Sequence, residues 1–504
     1  MAASAISGIK WNYFGGISAS VCSLVTGIVL ARILGPRPYG QVIIASIIYG
    51  FINLFVDGGF GQALIQKANI DSVDIRKTFT CQVGVGVCTT GLVYLFAPWI
   101  ARQFHDPSAV HVIQAMSMMM AIQSTGLVSA ALLRREMKFK IIQYSGLASY
   151  LFGYVAIGIP LAIHGAGVWS LVLAYLSQCF LNSVLLYAAS RHNVIPIFAF
   201  PDRSITSFGV TIVANNLVNW GHSNLDNMAV SRLGPVALGL YGRACNFAYQ
   251  PVGTVVTGLQ SVLFSSVARV QERKRLMHDT TLAIIGIVFP LLGAAYGTFA
   301  LIPATTILGL YGDKWVGVIP LVVPLALAMP FYGIHCLLGP ILCGMGRPDL
   351  EFWPQAISLV FAAIAYFVAA RFSLLSVAWA LLSVMLLRLV VIAVLTFRLL
   401  GISWANASFL IAKRAGFSAI FSGIVWSADQ LLRMLSMNAG LRLSVLTVFS
   451  LFLFSCAAWS AGNIVFGRHA VRFMLTYGAH LPVRFVQQLR LQVGPGISVA
   501  ADPF

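Results

Sequence analysis

Few side chains in this chain are equipped for chemistry, and most of them interrupt apolar runs. Arg388 is followed by nine residues without charge and preceded by sixteen. A guanidinium suits paired contacts to phosphate or carboxylate oxygens. Placing it bare in lipid costs at least about 2.5–3.5 kcal/mol. The position therefore calls for water, an anionic substrate or a carboxylate, and an ion pair between helices is the purely structural form of that demand. Asn215, Asn216, Asn219, His222, Asn224 and Asp226 crowd one further stretch. Positions 215, 219, 222 and 226 share a helical face. Such a stripe is penalised against acyl chains, so it lines a wet pathway or hydrogen-bonds between helices. Asp57 and Asp226 are carboxylates suited to pairing with a cavity arginine or taking up a proton or cation. Asp57 precedes Gly58-Gly59 and serves equally as a packing latch. Arg32 and Arg243 fit either the mouth of a cleft or an anchor at lipid headgroups.

These residues are carried by segments that water would not tolerate. Of the 504 residues, 59% are hydrophobic and 9% charged, and the mean hydropathy is +0.87. A soluble domain of this length needs far more charge to cover its surface. Asn12 to Ala31, Thr78 to Ala101, Ile141 to Ser190, Ser204 to Leu225, Ala244 to Ala268 and Ser444 to Gly467 hold no Asp, Glu, Lys or Arg. About 20 helical residues cross a hydrocarbon core of about 30 Å, and the backbone there must satisfy its own hydrogen bonds. The absence of apolar–polar alternation argues against a barrel. The expected fold class is all-α, a polytopic membrane protein of about fourteen transmembrane helices. Their coarse limits are 12–34, 39–65, 78–101, 110–133, 141–163, 167–189, 205–230, 236–268, 280–302, 317–341, 354–371, 374–399, 409–430 and 442–465.

Most of the 32 basic residues, including Arg76, Arg134, Arg191, Arg273, Lys413, Arg414 and Arg472, fall on one side of this arrangement. By the positive-inside bias both termini are expected in the cytoplasm. Basic residues spread over successive loops of one face signal topology and contact with anionic lipid. A nucleic-acid surface would gather them on one module, so no nucleic-acid partner is expected.

An internal duplication organises the helices. Phe14-Gly15 opens the first, which ends at Leu34-Gly35-Pro36 before Tyr39-Gly40. Phe208-Gly209 opens the seventh, which ends at Leu233-Gly234-Pro235 before Tyr241-Gly242. Glycine ends a helix and proline starts the next. Two such blocks, each after the first helix of a set of six, argue for parallel six-helix repeats. The expected divisions are an N-terminal bundle over 1–190, a cytoplasmic linker over 191–204 and a second bundle over 205–400. Two additional helices occupy 401–466 and a basic cytoplasmic tail 467–504. Paired bundles around a central cleft suit alternating access more than a fixed channel.

The same blocks resemble the polysaccharide flippases of the multidrug/oligosaccharidyl-lipid/polysaccharide exporter superfamily, of the O-antigen and colanic-acid type called Wzx or WzxC-like. The resemblance rests on Arg32-Ile-Leu-Gly-Pro-Arg-Pro-Tyr-Gly40, Asp57-Gly-Gly-Phe-Gly-Gln-Ala-Leu-Ile-Gln66 and Gly165-Ala-Gly-Val-Trp-Ser-Leu-Val172. It continues through Leu233-Gly-Pro-Val-Ala-Leu-Gly-Leu-Tyr241-Gly-Arg243, Gly309-Leu-Tyr-Gly-Asp-Lys-Trp315 and Gly344-Met-Gly-Arg-Pro348. It implies movement of a polyprenyl-diphosphate-linked oligosaccharide across a bacterial inner membrane. Partners would be that lipid-linked substrate, membrane lipids, and a polysaccharide polymerase with its chain-length machinery. A related drug or cation exporter is the alternative, disfavoured because Arg388 repels a cation. A membrane polymerase or transferase would need an acid/base or arginine-rich outer loop, and no outer loop gathers one. No nucleotide-binding loop is present. The eight cysteines form no C-x-x-C pair, so buried thiols are expected and neither metal nor cofactor is.

Overall fold

The computed structural model describes residues 2–57, 64–65, 67, 70–198, 203–269, 274–347, 349–467 and 469–471, and among these the regular structure is helical without strands. The helices are α1 (Ala2–Ile33), α2 (Pro36–Asp57), α3 (Ser72–Gln103), α4 (Val110–Arg135), α5 (Phe139–Ile163), α6 (Val168–Ser190), α7 (Arg203–Val230) and α8 (Pro235–Arg269). They continue as α9 (Lys274–Leu301), α10 (Pro303–Tyr311), α11 (Ile319–Gly344), α12 (Asp349–Ala369), α13 (Leu374–Leu400), α14 (Trp404–Met434), α15 (Ala439–Ser460) and α16 (Gly462–Val465). Ten spans among the described residues are long and apolar enough to cross a membrane, from Ser72–Gln103 to Ala439–Ser460. The chain is a multi-pass helical membrane protein.

Local chemistry explains where the helices begin and end. Proline opens α2, α8 and α10, where a missing N–H leaves no helical bond unmade. Gly234 precedes α8 at φ +91°, a conformation that L side chains resist. Asp71 and Asp74 form a reciprocal capping box on α3, and Asn438 caps α15 by accepting from the Leu441 N–H at 2.8 Å. One feature had no signal in the composition: Leu151–Gly158, inside α5, is wound as a π-helix. Gly153 there lies under the Ala174 carbonyl of α6, where a Cβ would overlap it.

Two compact units comprise Met1–Arg243 with Tyr366–Leu374, and Ala244–Ala365 with Leu375–Phe504. In the first, α4 packs along α2, α3 and α6, α1 and α6 flank α5, and α7 lies on α2. In the second, α9 packs between α11 and α14, and α15 lies against α10 and α14.

Two basic residues near helix ends are structural. α14 begins at Trp404 rather than 409, so Lys413 and Arg414 lie well inside it rather than near its start. Arg414 is buried, and its Nη1 donates to the Ile464 carbonyl of α16. Arg442 is buried as well, 3.5 Å from an Asp429 carboxylate whose side chain is 1% exposed. The Thr305 hydroxyl of α10 is within hydrogen-bonding reach of both Asp429 oxygens, at 2.9 and 3.1 Å. Arg433 approaches from the exposed side at 3.7 Å. One carboxylate therefore ties α10, α14 and α15 together. Removing one member of a buried pair typically costs about 3–5 kcal/mol, because the other charge is left uncompensated. Asp429→Ala should lower stability on that scale in thermal unfolding of the detergent-solubilised protein.

The segment after α6 is held down by His192. Its Nε2 lies 3.1 Å from the Ser129 hydroxyl, and its ring meets Phe79 and Tyr187 edge-on. Farther along, Arg76 donates to the Ile195 carbonyl and the Ile197 N–H to Thr80. Burial holds the imidazole below its ordinary value of 6.5, with the Asn193 carbonyl opposing the shift. A freed segment binds a proton as pH falls through that value while the docked one does not, so docking weakens below it. The protection of the amides over 193–198, taken against their intrinsic exchange rates, should fall between pH 7.5 and 5.5 and lose that pH dependence in His192→Gln.

Candidate functional site

In the second unit Arg388 projects from α13, half-buried, close enough to Tyr332 and Cys336 of α11 to act electrostatically on both. Among the described residues no carboxylate lies within 4 Å of it, and its Nε is buried without an acceptor. Its one recorded side-chain contact is weak, Nη1 to the Met385 sulfur at 4.0 Å. Neighbouring groups suit a polar ligand. Tyr249 of α8 meets Tyr332 edge-on at 5.1 Å, and Gln260 donates to the Cys336 carbonyl at 2.8 Å. Of the two answers open to this arginine, the described structure offers no interhelical ion pair. A guanidinium beside the Tyr332 phenol is chemically matched to a phosphate bearing sugar.

In the first unit the polar face of α7 divides along its length. Asn219 and Ser223 are exposed, His222 is half-buried, and Asp226 is buried. Between them Trp220 packs on Phe51 of α2 at 5.0 Å, which turns Trp220 inward and the amide of Asn219 outward. Among the described residues Asp226 has only neutral donors. Its Oδ1 accepts from the Asn227 N–H at 2.7 Å, and its Oδ2 from the Tyr241 hydroxyl at 3.1 Å. A buried carboxylate without a cationic neighbour is suited to hold a proton or bind a small cation. The side chains of Asp57 and Asn215 lie outside the described residues.

Arg32 and Arg243 have different surroundings. Arg32 is exposed at the end of α1, whereas Arg243 is 9% exposed. The latter sits over the Tyr39 ring at 5.4 Å and beside Gly27 of α1. Close to it is a tyrosine cluster that the sequence reading did not single out. Tyr150 stacks on Tyr154 at 4.7 Å, Tyr154 meets Tyr175 at 6.0 Å, and the Tyr150 hydroxyl bonds Thr26. The i, i+4 spacing of Tyr150 and Tyr154 was the available signal. The π-helical winding around Tyr154 was not available from spacing.

The family described as "Polysaccharide biosynthesis protein" matches residues 29–320. Among curated relatives, the chain is 25% identical to the lipopolysaccharide biosynthesis protein WzxC of Escherichia coli K12, over 69% of this chain and 71% of that one. It is 26% identical to the succinoglycan biosynthesis transport protein ExoT of Rhizobium meliloti (71% and 73% covered). Identity is also 26% to the teichuronic acid biosynthesis protein TuaB of Bacillus subtilis (74% and 78%). Among solved structures, the fold is similar to the lipid II flippase MurJ in an inward closed conformation. That match has a TM-score of 0.73 and 13% identity, covering 90% of this chain and 99% of the other. An inward-facing multidrug resistance MATE family transporter of the MOP superfamily matches at 0.57, with 14% identity over 78% and 95%.

Because Arg388 has no carboxylate partner among the described residues, Arg388→Ala orphans no charge. Its thermal unfolding should stay within about 1 kcal/mol of the parent, unlike the several expected for a broken buried pair. A loss comparable to that of Asp429→Ala would reveal an ionic partner and remove Arg388 from the site.

Proposed function

The chain belongs to the polysaccharide biosynthesis protein family, and on that premise we propose that it flips polyprenyl-diphosphate-linked oligosaccharide repeat units from the cytoplasmic to the outer face of a bacterial inner membrane. The observation that carries this reading is an arginine at membrane depth with no ionic partner among the described residues, beside Tyr332. A diphosphate supplies the missing negative charge, and sugar hydroxyls match the phenol. Transport, rather than bond-breaking, is the activity that the named relatives support. Within the reading, the duplicated blocks mark two six-helix halves, 1–190 and 205–400, that alternate access. Asn219 and His222 line the path, and Asp226 is the group through which a proton or cation couples. Arg32 and Arg243 flank its outer end, and Asp57 and Asn215 complete the polar set. Both termini face the cytoplasm, and a polymerase acts on the exported units.

The test is genetic and chemical. In a host with no second flippase, deletion of this chain should leave lipid-linked repeat units on the cytoplasmic face, out of reach of a glycosidase added outside spheroplasts. Complementation should restore access, and Arg388→Ala should reduce the restored rate at least tenfold. Normal outward access in the deletion strain would refute the assignment, and dye efflux dependent on the chain would favour a cation exporter instead.

A further inference from the structure

The two Leu-Gly-Pro blocks touch each other. Pro36 opens α2 and Gly40 follows one turn later, and Pro235 opens α8 and Gly239 follows one turn later. A Cβ on Gly40 would strike the Pro235 carbonyl, and a Cβ on Gly239 would strike the Pro36 carbonyl. The contact is reciprocal, as in a two-fold dimer interface, where residue i meets j and j's equivalent meets i's. It sets the register of the repeat here at 199 residues (235 − 36 and 239 − 40). Gly40 thus corresponds to Gly239, not to Gly242 as the shared Tyr-Gly suggests. On the same register Ile43 corresponds to Gly242, and these two face each other: a Cβ on Gly242 would lie 3.4 Å from Ile43 Cγ1. Backbones approach this closely only where small residues meet.

A second observation concerns α8 itself. Pro251 has no N–H for the Phe247 carbonyl. One residue on, the Tyr296 hydroxyl of α9 accepts from the Val252 N–H at 3.1 Å and donates to the Ala248 carbonyl. A side chain has entered the helical ladder between the two groups that would otherwise bond each other, a recognised cause of helix bending. Tyr296 is 1% exposed, so the bridge is shielded from water.

We propose that the reciprocal Pro36–Gly239 and Pro235–Gly40 contact is a seal across the outward end of the substrate path, and that the outer turns of α8 swing off α2 about the Tyr296-bridged break to open it. The proposal rests on the transporter reading above. The seal lies at the ends of α2 and α8 opposite the arginine-rich loops, where the positive-inside bias places the exterior. It is made of backbone against backbone, with the Arg243–Tyr39 contact beside it, and it joins equivalent helices of the two repeats. An alternating-access path between repeats opens outward only if such a contact parts.

The experiment uses the full chain in membranes. Ile43→Cys with Gly242→Cys puts two thiols on facing positions, since Ile43 Cγ1, where a cysteine sulfur would sit, lies 3.4 Å from a Cβ at 242. Oxidation should cross-link them and cut outward access of repeat units at least tenfold, with recovery on reduction and no effect on either single variant. Cross-linked protein that transports at the reduced rate would show a static contact and overturn the proposal, as would thiols that never cross-link. Should the reduced double variant be inactive, Ile43→Cys alone serves. Its labelling by a membrane-impermeant maleimide from outside should quicken at least threefold in a Gly40→Ala background and slow in a Tyr296→Phe background, where the ladder can close. Unchanged labelling in both would also overturn it. A parent chain that exports nothing refutes the transport reading alone, because labelling at position 43 still reports on the contact.

Discussion

Hydrocarbon gives no solvation to a charge or an unpaired polar group, and each ionic side chain in this protein has to answer that fact. Two answers occur in the described structure. Asp429 gathers Thr305, Arg433 and Arg442 and becomes a structural tie. Arg414 turns onto the backbone of α16. Arg388 has neither answer among the described residues, which is why the proposed path is built on it. What separates it from the structural ties is which partners tertiary packing has delivered, not residue type.

The same constraint shapes contacts between helices. Lipid chains are as apolar as leucine, so helices in a bilayer hold together by close approach of small residues and by satisfied polar groups. Gly40, Gly239 and Gly242 supply the first at the meeting of α2 and α8, and the Asp226–Tyr241 hydrogen bond supplies the second nearby. A contact built from backbone shape is specific in register, which fits a joint that has to close again in the same place.

The relatives speak for the family and the fold matches for the fold. The family match spans residues 29–320, and so takes in both Leu-Gly-Pro blocks and the polar face of α7. The similarity to MurJ extends over nearly its whole length at an identity too low to speak for anything but the fold. Arg388 falls beyond the family match, and its assignment rests on the local chemistry of α8, α11 and α13.

From the sequence alone, the membrane setting and the helical class could be read. Hydropathy, span length and breaks at Gly and Pro are properties of a line of residues, and the bilayer converts them directly into structure. Arg388 and the α7 stripe stood out for the same reason, as polar residues in apolar runs. Which way those side chains turn depends on the rotation of each helix against its neighbours. Only the tertiary structure could place Asn219 outward and Asp226 inward on one stripe, or bury Arg442 against Asp429. The offset of the Leu-Gly-Pro blocks sets Gly40 against Gly239, but it does not show that the two blocks meet: that is decided by backbone atoms packed across two helices.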